Sequence, residues 1–240
     1  MSQDVTRRLA SSDPGDREGL VASWADEAAG WSTGQRSEVG EGLVALLGAP
    51  VATVAKSFAA LCLADVARAG AWEEAWSAPV LRWWTREQDL RGHDPVEGWV
   101  HAVAHGADLA GELALTRSAP PERLLGACAR RLVAPTEFVW ADGEDDRVAL
   151  AIVRCLSLVE AEGADVVWLS PVAGFLASPQ PSPAPPEFAN ALRTLRSVLA
   201  LLEVGRPVAG ASRVPPQADR VRSAILAILA AATPWLWGPG

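Results

Sequence analysis

VEGWVHAVAHGADLAGELA, residues Val96 to Ala114, decides how this chain folds. The spacing predicts a single helix, and winding it at about 100° per residue gathers His101, His105, Asp108 and Glu112 into a stripe about 60° wide. Every other direction carries Ala, Val, Leu or Gly, among them Val103, Ala104, Ala107, Leu109 and Leu113. A surface helix shows a broad polar face, whereas one that is apolar nearly all round must be surrounded by protein. The stripe is therefore expected to line an internal cleft. Gly98 and Gly106, lacking a Cβ, would admit another chain segment or a ligand, and Trp99 would form an apolar wall.

The same periodicity extends in both directions. Apolar helical segments are expected at Asp16–Ala29, Ser37–Leu47, Val51–Ala69, Trp72–Arg86, Pro121–Val133, Glu144–Glu160, Asp165–Leu176, Glu187–Leu202 and Ala218–Ala232, each bounded by Gly- or Pro-marked breaks. No strand alternation competes with them. Half of the 240 residues are hydrophobic, with Ala and Leu dominant and Ile, Phe and Thr sparse, a balance that favours helices. The expected fold is all-α, a HEAT-like α-α array (α-solenoid) of about nine to ten helices, although the sequence has no strict internal period.

Four regions follow from the punctuation. Residues 1–15 are polar, contain Pro14 and Gly15, and read as a flexible leader; residues 16–177 form the helical core. Ser178 to Pro186, SPQPSPAPP, cannot continue a helix because proline removes donors and clashes with the preceding turn, so it reads as a linker. Residues 187–240 are expected to form a helical hairpin docked on the core.

Composition excludes several function classes. The net charge is −8 and Lys56 is the only lysine, so a basic nucleic-acid face is not expected. The start, MSQDVTRRLASSDPGDRE, has no apolar signal segment. Ser223 to Gly240 carries no charge, but Pro234 leaves a helix of about eleven residues where about 20 would be needed to span a bilayer. A cytoplasmic protein without a membrane partner is the expectation, with Cys62, Cys128 and Cys155 as buried free thiols. The eleven tryptophans, Trp72, Trp76, Trp83 and Trp84 among them, follow helical spacing and read as core filling. No phosphate loop, dinucleotide fingerprint, CxxC pair or GxSxG elbow occurs.

Three chemical uses of the stripe remain open. His101 and His105, one turn apart, could hold a divalent metal such as zinc, iron or manganese, with Asp108 or Glu112 as a third ligand further along the helix. The peptidase motif HExxH is absent, since Ala102 stands where its base would be. The second use is metal-free acid–base work by His101 or His105, oriented by Asp108 or Asp89. The third is structural: a buried network of mutually satisfied side chains. In the preceding loop, Glu87, Asp89 and Arg91 are expected to form an ion-pair network, with anion binding by Arg91 as the alternative, and His93 to lie exposed. Asp142, Glu144, Asp145 and Asp146 suit a helix start, from which Glu144 and Arg147 could also reach the cleft.

Three segments carry a family likeness: KSFAALCLADV at Lys56–Val66, REQDLRG with GWVHAVAHGADL at Arg86–Leu109, and FVWADGEDDRVALAI at Phe138–Ile152. Over about Val51 to Leu156 the chain resembles a bacterial all-helical family, domain of unknown function 2785. The resemblance implies a helical fold and no particular activity. The family pattern has an arginine before the serine–phenylalanine pair where this chain has Lys56; against an anionic ligand a point charge would replace a bidentate contact. The candidate catalytic residues are thus His101, His105, Asp108, Glu87 and Asp89. The candidate ligand contacts are Arg91, Trp99, Glu112, Glu144, Arg147 and Lys56. Two functional classes stand side by side: an enzyme acting on a small molecule by metal-assisted or acid–base chemistry, and a noncatalytic helical scaffold that binds a ligand or a protein.

Overall fold

The computed structural model describes residues 1–160, 164–208 and 211–237. It is all-α, with thirteen helices among the described residues: α1 (Ser2–Leu9), α2 (Pro14–Ala29), α3 (Thr33–Gly48), α4 (Thr53–Arg68), α5 (Glu74–Arg86), α6 (Ala102–Leu115), α7 (Pro121–Leu132), α8 (Glu144–Leu156), α9 (Ala164–Val167), α10 (Leu169–Ala177), α11 (Pro186–Val204), α12 (Ala218–Ala232) and α13 (Pro234–Trp237). Two small antiparallel hairpins, β1 (His93–Asp94) with β2 (Gly98–Trp99) and β3 (Arg206–Val208) with β4 (Ala211–Arg213), occupy connections where no strand was expected.

Helices lie in two rows. In one, α1, α3, α5, α7, α10 and α12 pack each on the next; in the other, α2, α4, α6, α8 and α11 do the same. Sequence neighbours α1 and α2, α3 and α4, α5 and α6, and α7 and α8 join the rows. Polar contacts along the second row advance in step. Near the start of α4, Ser57 meets His105 of α6, and near its end Arg68 meets Glu112. Arg147 and Arg154 of α8 meet Asp108 and Glu112, while Asp145 and Asp146 meet Arg193 and Ser197 of α11. The helices α4, α6 and α8 therefore run parallel, with their N-termini along one edge. The candidate site lies on that edge.

Helix α6 is buried on nearly all sides, as its composition requires: only Asp108 and Leu115 of its residues escape burial. Gly106 admits the indole of Trp84 from α5, where an added methyl would stand 2.6 Å from Cγ. The Trp84 ring nitrogen donates to the Val103 carbonyl at 3.1 Å. The close approach foreseen for Gly106 is thus made by the core. Arg131 of α7, 1% exposed, donates to the carbonyls of Trp84 and Glu87 and so satisfies the free end of α5.

Helices at Pro121 and Ala218 begin where the sequence places them, and α12 ends at Ala232 as expected. The count exceeds nine to ten because three elements were not foreseen. In place of a flexible leader, α1 packs on α3 and buries Val5 and Leu9. The segment near Asp165–Leu176 is divided into α9 and α10. Past Pro234, α13 exposes Trp235, Leu236 and Trp237; residues 238–240 lie outside the described residues. After the proline-rich segment, α11 starts with Pro186 at its first helical position, where a missing N–H costs nothing. It packs on α8, and its buried Asn190 accepts from Trp140 N and donates to the Phe138 carbonyl, fixing the chain that leads to Asp142.

Among the described residues no helix is long and apolar enough to cross a membrane. Cys62, Cys128 and Cys155 are free and buried, and burial raises the Cys128 thiol to about 12.

Candidate functional site

His101 precedes helix α6 and occupies its N-cap with φ 46° and ψ 34°, a left-handed conformation that costs a non-glycine residue about 1 kcal/mol. The chain arrives there through the β1–β2 hairpin. Gly98 turns it with φ 76°, and the amides of Val100 and His101 donate to the carbonyls of Gly92 and Arg91 at 2.8 and 3.1 Å. The expected helix from Val96 is corrected accordingly: Pro95 and Gly98 favour a hairpin, and α6 starts only at Ala102.

The left-handed turn brings His101 to the start of α8. There Gly143, at φ 85°, is the N-cap, and Glu144 is the first helical residue and 1% exposed. Glu144 Oε2 accepts the Asp142 amide at 2.9 Å; Asp142 Oδ2 accepts the His93 amide at 3.2 Å. Gly92 packs so closely over both acids that a methyl there would stand 2.6 Å from Glu144 Oε1. One ligand atom each from His101, Asp142 and Glu144 lie within 4.8 Å of one another.

The central pair is His101 Nε2 and Glu144 Oε1, 3.6 Å apart. Both atoms are buried, and neither has a hydrogen-bond partner. Burial lowers the His101 pKa despite the opposing pull of Glu144, so the ring is neutral at pH 7 and the contact is not an ion pair. A buried carboxylate oxygen left without a donor costs stability where nothing compensates. The two atoms face each other just beyond hydrogen-bonding distance.

In front of His101 lies an open groove of about 640 Å³, lined by Glu18, Val21 and Ala22 of α2, Phe58 of α4, Trp99, His101 and His105. Aromatic rings follow one another along it. Phe58 meets His105 edge to face at 5.4 Å, His105 meets His101 at 5.8 Å, and Trp99 lies over His101 at 4.4 Å. Trp99 is 46% exposed and forms the outer wall. His105 is buried, with Nδ1 2.8 Å from Ser57 Oγ, and burial pushes its pKa down to about 3.

The metal set read from the helix, His101 with His105 and Asp108, does not converge. The His105 Nδ1 is held by Ser57, and both Asp108 oxygens are taken by Arg147, whose Nε donates at 2.8 Å. Glu112 faces away from the cluster and bridges Arg68 and Arg154 at 3.2 and 3.1 Å. The stripe of four is broken because its first member is not helical.

Glu87 and Asp89 also lie outside the cluster. Glu87 accepts from the Trp83 indole and from the amides of Gln88 and Asp89. Arg91 binds Asp89, Asp94 and Glu97 together, a network that keeps Asp89 of the expected set and leaves out Glu87, and Arg17 of α2 ties the hairpin down through the Glu97 carbonyl. Lys56 lines a different groove, on the side of α3 and α5. Of the residues expected to reach the cleft from the start of α8, Glu144 enters the cluster and Arg147 pairs with Asp108.

Asp142 and Ser57 were not among the expected site residues. Asp142 stands beside a glycine turn where capping explains an acid well enough. Ser57 could have been suspected only as a lone hydroxyl in the apolar start of α4.

The molecule is thus an all-helical protein with a histidine–carboxylate cluster at one edge of a helix row. It belongs to the family described as "Protein of unknown function (DUF2785)", whose model matches residues 52–200 and so takes in every residue of the cluster. No curated protein and no solved structure matches the chain.

Proposed function

We propose that His101, Asp142 and Glu144 hold one divalent cation, and that the protein uses it for metal-assisted chemistry on a small molecule received in the adjoining groove. The observation that carries this reading is the facing pair of buried, unpartnered atoms, His101 Nε2 and Glu144 Oε1, at 3.6 Å. Tetrahedral zinc, with metal–ligand distances of about 2.0–2.2 Å, sets neighbouring ligand atoms about 3.4 Å apart. The existing separation needs little adjustment. A neutral imidazole and two carboxylates also suit iron or manganese.

Three protein ligands would leave a coordination position for water, whose pKa zinc brings to about 7 and so makes a nucleophile at neutral pH. Trp99 and Phe58 would offer apolar contact to the body of the substrate. The neutral His105 ring, anchored on Ser57, would present a polar atom that carries no charge. The helix rows are consistent with a HEAT-like α-solenoid as scaffold, and three buried thiols fit a reducing compartment such as the cytoplasm.

Metal analysis of protein purified without a histidine tag tests the proposal. About one equivalent of zinc, iron or manganese is expected, lost in His101→Ala and Glu144→Gln and retained in Glu112→Gln. Absence of stoichiometric metal from the wild type, with no thermal stabilisation by any of the three added cations, would sink the reading.

A further inference from the structure

Of the lysine and arginines whose side chains are described, Lys56, Arg82, Arg86, Arg130 and Arg196 form neither an ion pair nor a hydrogen bond. The first three line one groove of about 560 Å³ between α3, α4 and α5, on a face distinct from the metal cluster. In a chain of net charge −8, most other cations have found a carboxylate or a carbonyl. Three cations without a carboxylate partner thus share one concavity.

Ordinary helix electrostatics explains one of them. Arg86 lies in the last turn of α5, where a cation complements the negative end of the dipole. Arg82 stands a turn earlier, beyond most of that effect. Lys56 lies near the start of α4, the positive end of its dipole, where a cation is mildly unfavourable. Glu87, the acid of the groove, is already committed to the Trp83 indole and two backbone amides. The apolar lining comes from Val44 and Leu47 of α3 and Pro79 of α5. A volume of this size suits a small organic ligand, and three positive groups suit one that carries more than one negative charge at one end.

We propose that this groove binds a phosphate monoester, with its dianion received by Lys56, Arg82 and Arg86 and its organic portion laid on Val44, Leu47 and Pro79. Arg82 and Arg86, four residues apart on one helix face, are spaced to share the phosphate oxygens between two guanidinium groups. Lys56 closes the third side as a point charge.

The test is titration calorimetry on metal-stripped protein with phenyl phosphate, inorganic phosphate, phenol and succinate as probes, at low and physiological salt. Repeating it in Glu144→Gln separates this groove from the metal site, because neither result depends on the other. Phenyl phosphate should bind at least tenfold tighter than inorganic phosphate, with phenol undetectable, and its affinity should fall several-fold as salt rises. Arg82→Gln with Arg86→Gln should weaken it at least 30-fold, and Lys56→Gln alone about tenfold. Both arginines are exposed, so the double variant should melt like the wild type; if it does not, Lys56→Gln decides. No binding of phenyl phosphate below 10 mM, equal binding of phosphate with and without the phenyl group, tighter binding of succinate, or full affinity in these variants would each overturn the proposal.

Discussion

The two ends of the polar stripe on and before α6 carry the same kinds of residue and have opposite fates. Asp108 and Glu112 are both met by guanidinium groups, from Arg147 and from Arg68 with Arg154. Two to three turns away, His101 Nε2 and Glu144 Oε1 face each other with no partner. Other buried polar atoms among the described residues also lack a partner, Trp140 Nε1 and Arg131 Nη2 among them, so what marks this end is that two such atoms face each other at 3.6 Å. The paired half of α6 is therefore read as a brace, and the unpaired end as the site.

The largest effect separating the two ends is expected from the buried histidines. His105 has its pKa held near 3 by burial, and His101 is also lowered. A base whose folded pKa lies below its unfolded value of about 6.5 contributes no instability above that pH. As pH falls from about 6.5 toward 3, the unfolded chain takes up a proton that the folded one refuses, and stability falls by about 1.4 kcal/mol per pH unit for such a group. Wild-type protein should thus lose a few kcal/mol between pH 6.5 and 4, and His105→Gln should flatten much of that limb in urea titrations run at each pH. An unchanged limb would mean that His105 is not buried as described.

The brace comes next. Glu112 is 8% exposed and holds two arginines; Glu112→Ala should lower stability by about 2 kcal/mol, below the value for a fully buried network because Arg68 is half exposed. Metal content should remain unchanged. Loss of metal in that variant would merge the two ends into one functional unit.

The smallest effect has the opposite sign. Glu144→Gln replaces a buried carboxyl group whose Oε1 has no donor, so metal-free protein should be unchanged or up to about 1 kcal/mol more stable by urea unfolding. Destabilisation by more than that amount would show Glu144 to be a structural residue and erase the distinction.

Much of the scaffold could be read from the chain. Pro121 and the run from Ala218 to Ala232 carry their boundaries in their own composition. Helix α1 could not be read, since only Val5 and Leu9 of its residues are buried and their reason to fold is α3, which no local pattern reveals. The site was legible in part. His101 and Glu144 stood out as residue types in a promising setting, but the assumption of a continuous helix joined His101 to Asp108 and Glu112. A single left-handed residue undid that geometry, and backbone handedness at a histidine leaves little trace in sequence. Asp142 was hidden behind the sufficient explanation of helix capping.

Glu112 holds Arg68 of α4 and Arg154 of α8 at once, across three successive helices. The consequence is one of tolerances. Sliding α8 along α6 by one residue would carry Glu144 about 1.5 Å, a large fraction of the 3.6 Å that separates it from His101. An alignment pin near the far end of the helices thus sets the precision of the jaw at the near end, and the accuracy of the candidate site is maintained by residues that never touch it.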